Sequence, residues 1–433
     1  MRNVANSNRL VVGHIFHALF AAAMLAVSGA ASAESAGSGD WNQWHGPNRD
    51  AVCKETGLLK QWPAEGPKLE WELRGLGPGF SSIVITGGKL LTMGNVEGQS
   101  ILAYSLADRK LLWKAKVGPA SDQPHCTPTV DGDRVYAIGT AGDLVCVSLV
   151  DGKELWRKSL IRDFGAKVPG WNFSESPLVD GDKLVCTPAG DVALMVALNK
   201  TSGEVIWKCA PPDPKRTGAV GHASIVVSKG AGVPQYVTLT SGAAIGVSAA
   251  DGKFLWAYPR IANGTANIPT PVVQGDFVFV STAYNTGAAL LKLAKAGEGI
   301  KAEEVYFLNA NTFQCHHGGF LRVGDYIFGA HGHNSGNPIC IEMATGKVMW
   351  SEKQLGKGSG AVLFADGNLY YRYEDDTVAL IEANPKSYIL KGSFKVPGRP
   401  GMGGPGWAHP VIHDGKLYIR HADVLFCYDI KAK

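Results

Sequence analysis

The chain of 433 residues has 54 glycines, is 45% hydrophobic and only 18% charged, a balance that fits a globular protein rich in turns with apolar mass for a large core. A formal net charge of +4 supplies no concentrated basic face, so nucleic acid is not an expected partner. No Walker A loop, G-x-S-x-G, H-E-x-x-H or zinc-type cysteine pairing occurs, which removes the commonest hydrolytic and nucleotide-binding signatures.

In chain order, Arg2 and Arg9 precede the apolar run "LVVGHIFHALFAAAMLAVSGA", which ends in small residues at Ala31 to Ala33. This pattern predicts a secretory leader over 1–33 cut before Glu34, and a secreted or periplasmic product without a stable membrane anchor. Residues 34–66 read as an extended lead-in, followed by a lone strand, "GPKLEWELRG" (66–75).

From there one phrase recurs: a tight turn, alternating residues, then a tryptophan. It reads "LADRKLLW" to Trp113, "VDGKELW" to Trp156, "TSGEVIW" to Trp207, "ADGKFLW" to Trp256 and "ATGKVMW" to Trp350. Trp71, Phe307 and Phe394 complete the series, at steps of 42 to 51 residues. Each period splits into four short alternating runs at hairpin turns, as in "TPTVDGDRVYAIGTAGDLVCVSLVDGKELW" (127–156). An all-strand period of this length predicts propeller blades.

Seven complete units are followed by 409–430, which supplies only three strands. The predicted fold is therefore all-β, an eight-bladed β-propeller of four-stranded antiparallel blades over 67–433. The strand carrying Trp71 closes the last blade, because closure removes unpaired edges. The tryptophans read as plates packing blade on blade. Within such meanders the cysteine pairs 126/146, 186/209 and 315/340 fall two strands apart, at roughly 9.5 Å and beyond the ~7 Å Cα limit for a disulfide. Most of the eight cysteines therefore read as small buried hydrophobes, with Cys53 and Cys427 the one pair left open.

The eleven-residue pattern A-x-D-x-x-T-G-x-x-x-W is well matched by "ALNKTSGEVIW" (197–207) and "CIEMATGKVMW" (340–350). On this motif the chain resembles the PQQ-like (pyrroloquinoline-quinone-like) repeat propellers of the quinoprotein alcohol dehydrogenase-like superfamily, and "WNQWHGPNRDAVCKETGLLKQWP" (41–63) is similar to their lead-in. The resemblance implies either a cofactor-free scaffold or binding module, or a dehydrogenase of alcohols or sugars using PQQ and calcium. The adjacent cysteines that commonly clamp the quinone, and a C-x-x-C-H haem site, are both missing.

Aligned on the first hairpin of each blade, Phe80, His125, Ser174, His222, Ile268, His317, Ser359 and Trp407 share one ring position at the channel. Two residues on come Ser82, Thr127, Ser176, Ser224, Thr270, Gly319, Ala361 and His409, mostly small as a crowded axis requires. Three sets of candidates follow. Trp171, Asn172, Glu175, Asn267 and Trp407 are candidates to hold a quinone and calcium. His125, His222 and His317 could take a divalent metal. His316, His331, His333, Tyr284 and His409 could line a ligand pocket at the channel mouth. The loop "YEDDT" adds Glu374, with Asp375 and Asp376 read as a solvated turn. The main expectation is an exported binding module, monomeric, whose channel mouth takes a small polar ligand or a protein partner; the alternative is the PQQ- and calcium-dependent dehydrogenase.

Overall fold

The structure is a computed structural model that describes residues 39–433 apart from 121, 212, 214–216 and 298. The expected leader and its cleavage point lie outside the described residues. Eight sheets follow one another around a ring, each a meander that runs from the channel outward. The eighth joins Val411–His413, Lys416–His421 and Val424–Asp429 to the N-terminal strand Lys68–Arg74. That strand pairs antiparallel with Val424–Asp429, Trp71 opposite Cys427, so the expected closure is present.

The outer strand of every blade carries a register shift, and its position explains the recurring phrase. In blade two Glu154 faces Val147 and Trp156 faces Cys146, leaving Leu155 as the extra residue. The same offset falls at Ile206, Leu255, Met349 and Leu112. One bulged residue turns the next side chain toward the neighbouring blade and pushes its own outward. Leu112, Leu155, Ile206 and Val305 are accordingly 42–47% exposed, while Trp113, Trp207, Trp256 and Trp350 are buried.

Three of the tryptophan plates land on a glycine of the next blade. A Cβ on Gly152, Gly203 or Gly252 would lie 2.5–2.8 Å from the ring of Trp113, Trp156 or Trp207, and all three glycines have φ of 72–73°. Only glycine meets both demands. Blade one's altered phrase shows the variation allowed: Arg109 takes the left-handed turn at φ 62° and lays its guanidinium 5.6 Å from the Trp71 ring. In blade five the plate is Tyr306 rather than Phe307, because the bulge falls at Val305. Tyr306 covers Gly346 and donates to the Met343 carbonyl at 2.7 Å. Opposite the tryptophans stand small residues, Ala103, Cys146, Ala197, Gly246, Cys340 and Cys427. The cysteines thus act as space-limited core residues, and all eight, Cys53 and Cys427 included, are free and buried.

At the inner edge the blades are stitched by hydroxyls. The backbone N–H of Ser82 donates to Thr127 Oγ1, that of Thr127 to Ser176 Oγ and that of Ser176 to Ser224 Oγ, each at 3.0 Å. These inner N–H groups point at the axis, where no strand can pair them, so a short hydroxyl from the next blade is the available acceptor.

The lead-in crosses the channel. Trp41 bridges Ile85 of blade one, Asn42 donates to the Val130 carbonyl of blade two, and Val52–Cys53 adds a parallel strand to Gly360–Ala365 of blade seven. Arg49, buried and without a carboxylate in hydrogen-bonding contact, fixes the crossing by donating to the carbonyls of Ser176 at 2.7 Å and Pro177 at 3.1 Å.

Candidate ligand site at the channel mouth

Ring geometry brings the short inner strands together, and the residues entering them surround a cavity of about 330 Å3. Seven of the eight aligned ring positions line it, from Phe80 round to Trp407, with only Ser359 set back. Trp44 and His45 of the crossing segment also line it, while Gln43 and Pro47 to Asp50 border a second cavity of about 370 Å3. The segment therefore separates two cavities along the channel.

Seven of the chain's twelve histidines line the first cavity. Five of them form two groups, and His45 and His409 form a pair of their own. His125 Nδ1 lies 2.8 Å from Ser174 Oγ, which lies 3.3 Å from His222 Nδ1. Elsewhere on the wall the His316 and His317 rings sit 4.2 Å apart, with His333 4.6 Å from His316 and the Tyr284 hydroxyl 3.0 Å from His316 Nε2. Phe80 and Trp407 join the groups, with Trp407 4.6 Å from both Phe80 and His317. Toward the crossing segment, His409 Nδ1 meets His45 Nε2 at 3.0 Å, and Trp44 stacks on His45 at 4.1 Å.

Burial pushes His222, His316 and His409 down to about 4, with neighbouring imidazoles adding to the effect at His222 and His316. His45 and His317 are pushed down further, and His125 moves the same way, again chiefly through burial. At neutral pH these are uncharged imidazoles, each with a nitrogen lone pair. Among the described residues, no lysine, arginine, aspartate or glutamate lines the cavity.

The remaining candidates from the sequence are placed as follows. Trp171 is exposed at the rim and lines the cavity with Trp407. Asn172 sits in a left-handed turn with its amide on Asp122. Glu175 and Asn267 lie behind the wall. Glu175 accepts from the Thr187 N–H at 2.8 Å and its hydroxyl at 3.2 Å, and burial pushes its carboxyl up to about 7 against those donors and Arg49. The Asn267 amide donates to the Thr240 carbonyl, and its oxygen accepts from the Asn263 N–H. Ser174 and Ser176 line the cavity just before the inner strand, and Glu175 between them turns toward the sheets to meet Thr187. His331 points away from the cavity, its Nδ1 accepting from the Gln314 N–H. Asp376 corrects the solvated-turn reading. It is buried, paired with Arg372 at 2.9 Å and in contact with His421 Nδ1 at 2.8 Å.

Among the described residues, one group of three could hold a metal ion. His316, His317 and Glu374 offer ligand atoms all within 4.8 Å of one another. His125 and His222 are not in it. Sequence reasoning missed Trp44 and His45, although two tryptophans and a histidine within 41–45 are more aromatic than a solvated linker needs.

A family model described as "Outer membrane protein assembly factor BamB" matches residues 48–167 and 97–351. The chain belongs to this family of PQQ-like propellers. No curated protein matches the sequence. Among solved structures the fold is similar to quinohemoprotein alcohol dehydrogenase ADHIIG from Pseudomonas putida HK5, at TM-score 0.65 and 13% identity, covering 92% of this chain and 81% of that one. It is also similar to the quinohemoprotein alcohol dehydrogenase from Comamonas testosteroni, at 0.61 and 11%, covering 91% and 81%. BamB from Moraxella catarrhalis gives 0.59 and 14%, covering 84% and 98%. At these identities the family's dehydrogenases and assembly factors share a fold with the chain, and the fold does not choose between their activities. No helix among the described residues is long and apolar enough to cross a membrane.

Proposed function

We propose that the protein is an exported binding module whose ligand site is the cavity at the channel mouth. The observation that carries this reading is the wall itself: imidazoles and aromatic faces around about 330 Å3, with no lysine, arginine, aspartate or glutamate among the described lining residues. Such a wall suits a small, flat, uncharged molecule that stacks on Trp407, Phe80 or Trp44 and hydrogen-bonds to imidazole. The ordered leader pattern and the BamB-type family support export, to the periplasm or beyond.

The alternative is the quinoprotein dehydrogenase, favoured by the likeness to the two quinohemoprotein enzymes and by Trp171 and Trp407 as faces for a flat ring. The donor set speaks against it. PQQ is a tricarboxylate, and among the described residues no lysine or arginine lines the cavity to receive it. Calcium requires several oxygen ligands, and the candidate Glu175 and Asn267 oxygens are engaged behind the wall. The residues present do not fit that pair, and no catalytic step is derived through it.

A thermal-shift screen of small neutral aromatic heterocycles tests the main reading. Hits should lose their stabilising effect in Trp407→Ala while the unliganded protein melts as before. Hits that stabilise Trp407→Ala equally would place their site elsewhere and refute it.

A further inference from the structure

His316 and His317 enter the inner strand of blade six, and Glu374 lies in the turn after the second strand of blade seven; the ring brings their ligand atoms within 4.8 Å. His317 Nε2 stands 3.4 Å from Glu374 Oε1, yet that nitrogen is buried without a hydrogen-bond partner. A buried imidazole nitrogen facing a carboxylate oxygen needs a proton or a metal cation between them. The 3.4 Å between these two atoms suits a metal cation. Ligand bonds of about 2.0–2.1 Å at tetrahedral angles put neighbouring donor atoms about 3.3–3.4 Å apart.

The surroundings are built to orient these donors. Ser359 donates its backbone N–H to Glu374 Oε1 at 2.8 Å, and its hydroxyl lies 3.1 Å from His316 Nδ1. One residue thus positions two of the three, as outer-shell partners of metal ligands do. With Nδ1 of His316 engaged, Nε2 is the nitrogen left for a cation, and the Tyr284 hydroxyl now 3.0 Å away would yield or join it. The ring of His317 is held against Trp407 at 4.6 Å.

We propose that His316, His317 and Glu374 form a site for a divalent cation of the zinc class, with one coordination position open to the channel-mouth cavity. Two imidazoles and one carboxylate favour a borderline ion over calcium or magnesium, which prefer oxygen ligands throughout. Three protein donors leave a place for water or for a donor atom of a cavity ligand. The site goes beyond the ligand-binding reading and stands without it, since an ion can bind with the rest of the cavity holding water.

The test strips the purified chain with a chelator, then titrates it with Zn2+ by calorimetry and with Co2+ by visible absorption. One ion per chain, with the strong visible bands of four-coordinate cobalt, is expected. Glu374→Gln and His317→Gln should each weaken binding at least roughly tenfold, while His222→Gln, in the other histidine group, leaves it unchanged. If Glu374→Gln does not fold, Ser359→Ala keeps all three donors and should weaken binding by about tenfold. No stoichiometric ion, unchanged affinity in these variants, or loss in His222→Gln with retention in Glu374→Gln would overturn the site.

Discussion

The outer strands and the channel mouth solve opposite problems with the same repeat. Around the rim the outer-strand bulge recurs in every blade, and at three consecutive joints the same tryptophan-on-glycine contact repeats; Trp113 on Gly152, Trp156 on Gly203 and Trp207 on Gly252 are interchangeable parts. At the mouth, equivalent positions hold phenylalanine, histidine, serine, isoleucine and tryptophan, and no two neighbouring blades present the same side chain. Uniformity marks what holds the ring together, and its loss marks the cavity wall.

That contrast can be broken by substitution. The largest effect is expected from deleting residues 66–75, which strips blade eight of its outer strand; cooperative unfolding in urea should be lost, whereas deleting 34–45 should leave a folded ring of lower stability. Equal melting temperatures for the two deletions would contradict closure. Next comes Trp207→Ala, expected to cost about 3–5 kcal/mol in urea unfolding, against less than roughly 1 kcal/mol for Trp171→Ala, whose ring is exposed at the rim of the cavity. Gly252→Ala should cost about 2–4 kcal/mol through left-handed strain and collision with Trp207, and Gly132→Ala, with open space around it, about 1 kcal/mol.

A pH series sharpens the comparison from the other side. Histidines whose folded pKa lies below the unfolded value of 6.5 bind fewer protons folded than unfolded. Their contribution is complete above about 6.5, is lost as pH falls toward about 4, and levels off below that. Melting temperature should therefore drop across this window, and His222→Gln should flatten the slope. Glu175 has the opposite sign: raised to about 7, it makes the fold less stable as pH climbs from 4.5 to 7. Glu175→Gln should remove that opposing slope.

The ring was legible because its joints repeat. Turn, alternation and tryptophan give blade count, strand order and the closing strand, and the inner ring positions follow by alignment. Phe307 misled by one place because a bulge shifts register without leaving a mark in the alternation. Glu175 and Asn267 were grouped with the mouth by proximity in sequence, although Glu175, between two cavity-lining serines, turns toward the sheets. Asp376 read as solvated because one partner, His421, belongs to blade eight and reaches it only when the two blades meet, although the other, Arg372, lies four residues back in the same hairpin. Trp44 and His45 carry no periodic signal at all, and only the crossing of the lead-in places them on the cavity wall.

The uncharged character of that wall is tested most directly by offering the purified chain PQQ with calcium, followed by gel filtration and a dye-reduction assay across alcohols and aldoses. The account predicts no quinone absorbance with the protein and no substrate-dependent dye reduction. One quinone retained per chain, with turnover, would contradict it.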